Sequence, residues 1–225
     1  MELAEILGLK PGICAVIGSG GKTTLLRTLG AELPGRVILC TTTHMLPFPG
    51  LELYTGGAEE ALAERLDRHR LVCVGRWGAE GKLIAPELSM ETLARLADHV
   101  LVEADGSKRL PMKAHAPHEP VIPPESRQVV CVVGASCFGR KVEEVVHRPE
   151  IFCSLTGAGP EATVTPALAA RAIAREGLAR QVFVNQVDRQ PDWTGAEEFA
   201  RALEGTEIAM AAGSLHRGIY RRLKE

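Results

Sequence analysis

A mostly parallel α/β sheet with helices on both faces is the fold class this sequence predicts. Three observations predict it: short apolar runs recur along the chain, stretches of helical periodicity separate them, and most runs are apolar throughout rather than alternating. Continuous apolar character marks strands buried on both faces, as in parallel sheets covered by crossover helices. Strands that alternate with helices indicate an α/β architecture.

The runs fall at Ile13–Ile17, Val37–Cys40, Leu71–Val74, Val100–Val102, Val129–Val133, Val182–Val184 and Ile208–Met210. The helical stripes are Leu25, Leu26, Leu29 and Leu33; Ala58, Leu62 and Leu66; Leu168, Ala169, Ala172 and Ile173; and Ala196, Phe199, Ala200 and Leu203. Each recurs at the three- and four-residue spacing that gathers side chains on one helix face. One segment breaks the alternation. Gly106 to Pro124 holds five prolines and two histidines with little periodicity, and a loop that long inside a compact domain is usually functional.

Composition bounds the rest. With 225 residues, 45% apolar and 24% charged, the chain suits one α/β domain over 1–225 with a substantial core. A net charge of −2 offers no broad basic surface, so no nucleic-acid partner and no anionic membrane surface is expected. No segment approaches the roughly 18 apolar residues of a membrane helix, and Met1 to Gly12 has no signal-peptide core. Of the six cysteines, Cys14, Cys40, Cys73 and Cys131 sit in apolar runs, and no C-x-x-C pair exists. They read as small buried hydrophobes in a reducing compartment, so a cytoplasmic location is expected.

The first run enters Gly18-Ser19-Gly20-Gly21-Lys22-Thr23-Thr24, and a helical stripe begins at once with Leu25. Strand, glycine loop and helix in that order are what a phosphate site requires. Glycines let successive N–H groups turn inward, and the helix N-terminus adds positive potential. Lys22 is placed to reach β- and γ-phosphates, and the Thr23 hydroxyl to hold Mg²⁺. Val16 stands where the longer form of the motif has its first glycine, which shortens the loop to G-x-x-G-K-T, as in Mur-type amide ligases. The fold class thereby narrows to P-loop NTPase-like, with GTP or ATP and Mg²⁺ as expected cofactors. In "HVLVEADGSK", alternation puts Glu103 and Asp105 on one face near a strand's C-terminal end, where open α/β sheets bind ligands. Asp105 then reads as the carboxylate that fixes the metal's water shell, and Glu103 as the group that orients or deprotonates an attacking water.

Three stretches, "GSGGKTT", "CTTTHMLPFP" and "VEADGSKRLPMKAHAPHEPVIP", together resemble the selenium-dependent hydroxylase accessory protein family, YqeC-type. The resemblance runs from Gly18 to about Arg148 and returns near Val184–Asp188. It implies a cytoplasmic P-loop protein that assists maturation of selenium-dependent molybdenum hydroxylases, with such a hydroxylase or its cofactor as partner. Within these stretches Thr43 and His44 follow a strand end and either line the site or simply favour the strand. Lys108, Arg109 and Lys113 suit an anionic substrate or a solvated surface. His115, His118 and Glu119 suit a substrate role better than zinc. Arg148, in "VVHRPEIF", is placed to supply positive charge to a transferring phosphoryl group, and Cys137, in "GASCFGRK", would be an exposed thiol if that segment is a loop.

"VFVNQVDR" resembles the N-K-x-D base-reading motif of GTPases, with Gln186 in place of lysine. Asn185 and Asp188 then contact the base, and an aspartate there favours guanine over adenine. Three activities stay open at this point: an NTP-hydrolysing maturation factor, an ATP-dependent ligase or kinase acting on a small cofactor, and a nucleotide-binding module without turnover.

Overall fold

The computed structural model describes residues 2–225. Its centre is a sheet of nine strands: β1 Gly12–Gly18, β2 Val37–Thr41, β3 Glu52–Tyr54, β4 Leu71–Val74, β5 His99–Glu103, β6 Gln128–Gly134, β7 Gln181–Asn185, β8 Ala209–Ser214 and β9 Ile219–Lys224. Their order is β9-β8-β7-β6-β1-β5-β2-β4-β3, and every neighbouring pair is parallel except β8 with β9. All seven apolar runs read from the sequence are strands of this sheet. The two remaining strands lie at its edges, where a two-sided apolar run is not required: β3 is short, and β9 reads Ile-Tyr-Arg-Arg-Leu-Lys.

Among the described residues eight α-helices flank the sheet: α1 Leu3–Ile6, α2 Lys22–Glu32, α3 Glu59–Arg68, α4 Met90–Leu96, α5 Val142–Val145, α6 Pro149–Thr156, α7 Pro166–Glu176 and α8 Gln190–Ala202. The four stripes correspond to α2, α3, α7 and α8. The four helices without a visible stripe have four to eight residues, too few to display a period.

Side-chain alternation along β1 sorts the core into layers. Cys14 and Val16 point to a cluster that contains Leu25, Leu26 and Leu29 of α2, with Leu39, Leu101, Val130 and Phe183. Ala15 and Ile17 point the other way, into a cluster with Ala169, Ala172 and Ile173 of α7 and Ala196 and Phe199 of α8. Ile13 joins Leu62 and Leu66 of α3 and Leu93 of α4 in a third. Helices therefore cover both faces. Leu25, Leu26 and Leu29 are fully buried, and each contributes about 1.5–3 kcal/mol by leaving water. Anchored in this way, α2 holds the glycine loop against the ends of β1, β5 and β6.

Residues 106–124 form a strap across the C-terminal ends of the strands. Its ends and middle are tied by backbone bonds: Gly134 N–H donates to Pro111 O at 2.8 Å, Ala114 N–H to His147 O at 3.0 Å, and Val121 N–H to Ala104 O at 2.8 Å. Met112–Lys113 pairs in parallel with Val146–His147. Beside the strap, His44–Met45, Leu83–Ile84 and Arg76–Trp77 make a small antiparallel sheet. Among the described residues no helix is long and apolar enough to cross a membrane.

Candidate phosphate-binding site

After β1 the chain runs to β2, on one side, and only after β5 does it cross to β6 on the other. The strand order thus reverses beside β1, and ligands of open α/β sheets bind at such a point, beyond the carboxyl ends of the strands. The glycine loop sits there. Gly18, Gly20 and Gly21 have φ of 87°, 92° and 131°. Close approach also requires them: a Cβ on Gly18 would lie 2.4 Å from Val132 O, and one on Gly20 2.2 Å from Gly134 N. The helix α2 begins at Gly21 with no side chain capping it, so its first amides remain available to an anion. A cavity of about 320 Å³ opens over them, lined by Gly20 to Thr24, Glu103, Ser107, Arg109, Leu110, Pro111, Ser136 and Gln186. A larger cavity, about 980 Å³, lies elsewhere, around Pro11, Arg36 and Asp98 where the strands start. The glycine loop is not part of it.

Lys22 is buried. Its Nζ donates to Gly18 O at 2.8 Å and lies 3.0 Å from Asp105 Oδ1 and 3.9 Å from Glu103 Oε1. The two carboxylates differ from the sequence expectation in what they touch. Glu103, not Asp105, reaches the Thr23 hydroxyl: Thr23 Oγ1 donates to Glu103 Oε2 at 3.2 Å. Asp105 lies past the end of β5 and turns inward. Its Oδ2 accepts from Gly18 N–H at 2.8 Å, meets His115 Nε2 at 2.8 Å, and lies 3.3 Å from Lys113 Nζ. Its Oδ1 has the charge of Lys22 beside it but no directed hydrogen bond. Burial alone would raise the Asp105 pKa, but the His115 hydrogen bond and the two lysines outweigh it and hold the group at about 2. Burial raises Glu103, and the nearby Asp105 charge adds to that, while Lys22 and Thr23 pull the other way.

His115 and His118 were read together, and the structure separates them. His115 is buried, bonded through Nδ1 to Glu176 Oε2 at 2.9 Å and through Nε2 to Asp105. Burial lowers its pKa, but the bonds to Asp105 and Glu176 raise it overall. His118 is exposed. It lines a second cavity of about 510 Å³ with Thr42, Thr43, His44, Arg76 and Glu119. Lys113 is fully buried, donating to Gly106 O and pairing with Glu119 Oε1 at 2.7 Å. It is thus committed within the strap, whereas Lys108 is exposed. Arg148 does not line the cavity over the glycine loop; it pairs with Glu119. Arg109, rather than Arg148, lines that cavity. Cys137 is not an exposed thiol: it is buried in a short 3₁₀ turn, and desolvation pushes it up to about 12.

Asn185 ends β7 beneath the glycine loop. Its Nδ2 donates to Gly20 O at 2.8 Å, and its Oδ1 accepts from Leu215 N–H at 3.1 Å. It braces the loop from below. Asp188 is exposed, and its Oδ1 accepts from Ser214 Oγ at 2.6 Å. Gln186 stands at φ 65° and accepts from Ser136 Oγ at 2.6 Å, so both line the cavity. Glu176 escaped sequence reasoning: it closes α7, 61 residues from His115, with no local pattern to mark it.

A parallel α/β sheet whose first strand feeds a glycine loop, a buried lysine and an uncapped helix defines a P-loop protein. The chain belongs to the YqeC family: the family model described as "YqeC protein" matches residues 14–150. It is 36% identical over 165 residues to "Uncharacterized protein YqeC" of Escherichia coli (strain K12), an overlap covering 69% of this chain and 64% of that protein. The chain therefore spans just under two thirds of that relative's length. Among solved structures, it is similar to the signal recognition particle 54 kDa protein from Aeropyrum pernix K1 in complex with GDP. That likeness has 17% identity and a TM-score of 0.44, and covers 95% of this chain and 44% of the other.

Proposed function

We propose that the glycine loop binds the phosphates of a Mg²⁺–nucleoside triphosphate, and that the chain is a nucleotide-hydrolysing accessory factor in the maturation of selenium-dependent molybdenum hydroxylases. One observation carries the nucleotide reading: the uncapped start of α2, Lys22 and the Thr23–Glu103 pair converge on one cavity at the carboxyl end of β1. The hydroxylase reading rests on the family-like stretches of the sequence, and the whole activity, substrate and partner are part of the proposal.

In this reading the amides of Gly20 to Thr24 cradle the phosphates, while the Ser19 amide is spent on Val132 O at 2.9 Å. Lys22 exchanges the carboxylates for phosphate oxygens, which the amides of the helix start bind as well. Thr23 and Glu103 are the residues that would hold Mg²⁺, while Asp105 positions Lys22 and the Gly18 amide from behind. Their hydroxyl and carboxylate oxygens suit that hard ion, which keeps most of its water shell. When bound, Mg²⁺ supplies charge neutralisation to the phosphate oxygens. Glu103, with its raised pKa, is also the group placed to take a proton from a water. Asp188 and the loop after β8 read the base, and favour GTP over ATP, because guanine offers two donors that match a carboxylate and adenine offers no such pair.

A second reading, a ligase or kinase acting on a small cofactor, is favoured by the 510 Å³ cavity next to the strap. Phosphate release from GTP and ATP, measured with and without small-molecule acceptors, separates the readings. Release from nucleotide alone supports the accessory NTPase. Release only with an acceptor supports the second reading, and binding without release leaves a nucleotide-binding module. Absence of binding refutes the site.

A further inference from the structure

The second cavity carries an inference of its own. Both cavities border the strap: Ser107 to Pro111 contribute to the one over the glycine loop, Gly106, His118, Glu119 and Val121 to the other. At about 510 Å³ the second is within the usual size of small-molecule sites.

Its charge balance decides what it fits. Glu119 is the one carboxylate in the lining, and it is already neutralised by Lys113 Nζ at 2.7 Å and by Arg148. Arg76 spends only its Nε, which donates to Ala85 O at 3.0 Å, and among the described residues no carboxylate pairs with it. Two imidazoles, His44 and His118, the Thr43 hydroxyl, and Thr42, whose Oγ1 donates to Val121 O at 2.6 Å, complete the polar lining around it. The cavity therefore offers a free guanidinium edge and several donors, with no uncompensated negative charge. That is the complement of an oxyanion, which arginine grips through two parallel N–H bonds.

Between the cavities runs an alternating chain of charges. Lys22 lies 3.0 Å from Asp105, Asp105 3.3 Å from Lys113, and Lys113 2.7 Å from Glu119, which pairs with Arg148. A change of partner at Lys22 thus alters the field at Glu119, on the wall of the second cavity.

We infer that this cavity binds the oxyanion group of a small-molecule co-substrate, held by Arg76, His44 and His118. The word co-substrate rests on the nucleotide reading above; the binding does not.

Histidine-resolved NMR at constant pH and ionic strength tests it, with inorganic phosphate as the probe and no nucleotide present. His44 and His118 are expected to shift along one saturable curve, and the exposed His69 and His216 are not. Arg76→Gln, at an exposed position, is expected to weaken that curve about tenfold or more, the loss of a charged hydrogen-bond pair. A non-saturating drift shared by all four histidines overturns the inference, and so does a curve that Arg76→Gln leaves unchanged. Because nucleotide is absent, failure here leaves the nucleotide reading standing, and calorimetric titration of wild type with nucleotide reads that separately.

Discussion

Replacing Asp105 with asparagine probes the centre of the site. The carboxylate is fully buried and has four partners: the Gly18 amide, His115, Lys22 and Lys113. Asparagine keeps the shape but removes the charge, and its NH₂ falls either beside the Lys22 ammonium, at the Oδ1 position, or where Oδ2 accepted from Gly18 N–H. Two lysines and a histidine of raised pKa then share the pocket with one anion fewer. A fall in the Asp105 pKa from 3.8 to about 2 corresponds to about 2–3 kcal/mol of stability in the folded state. Breaking a buried ion pair by removing one partner costs about 3–5 kcal/mol in measured cases. Asp105→Asn is therefore expected to lose about 2–4 kcal/mol at pH 7. The sign with pH follows from the depressed pKa. The stabilisation is complete above the unfolded value and is lost as pH falls from about 4 to about 2. Urea denaturation followed by circular dichroism, at pH 7 and through the acid range, measures both. The variant should start lower and lack that part of the acid slope. A loss below about 0.5 kcal/mol, the level of ordinary surface substitutions, or an unchanged acid slope would refute the reasoning.

Glu103→Gln is expected to remove most of the Mg²⁺ dependence of nucleotide affinity while sparing metal-free binding, which calorimetry with and without Mg²⁺ reads directly. Gly20→Ala forces a methyl to 2.2 Å from Gly134 N and an alanine to φ 92°, so nucleotide affinity should fall more than about tenfold; a variant that binds normally contradicts the loop geometry. His115, whose pKa is raised, stabilises the fold fully below its unfolded value of 6.5, and that contribution declines as pH rises through the folded value. His115→Gln should flatten the corresponding part of the stability profile, measured by thermal melts from pH 5 to 9.

Much of the fold was legible because parallel strands buried on both faces leave an unbroken apolar signature, as in Val129–Val133 and Val182–Val184. Edge strand β9 left none, since Arg221, Arg222 and Lys224 break up its apolar residues at a solvent edge. The glycine loop was legible as a local motif, with strand, glycines and helix contiguous. The partners of its charges were not. Alternation was enough to pair Glu103 with Asp105, but the chain leaves β5 at Glu103, so Asp105 escapes the strand's period and turns into the core. Lys113, His115 and Arg148 looked alike as cations near a site. Only the fold of the strap shows Lys113 and His115 turned inward to Asp105 and Arg148 spent on Glu119.

The central claim is that the loop from Gly18 to Thr24 is a nucleotide-phosphate site built around Lys22. Calorimetric titration of wild type and Lys22→Ala with GTP and with ATP, in Mg²⁺, tests it most directly, with circular dichroism to check that the variant folds. The account predicts saturable binding by wild type, tighter for GTP, and its loss in a folded Lys22→Ala protein. Binding of equal affinity in the two proteins, or none by wild type to either nucleotide, would contradict it.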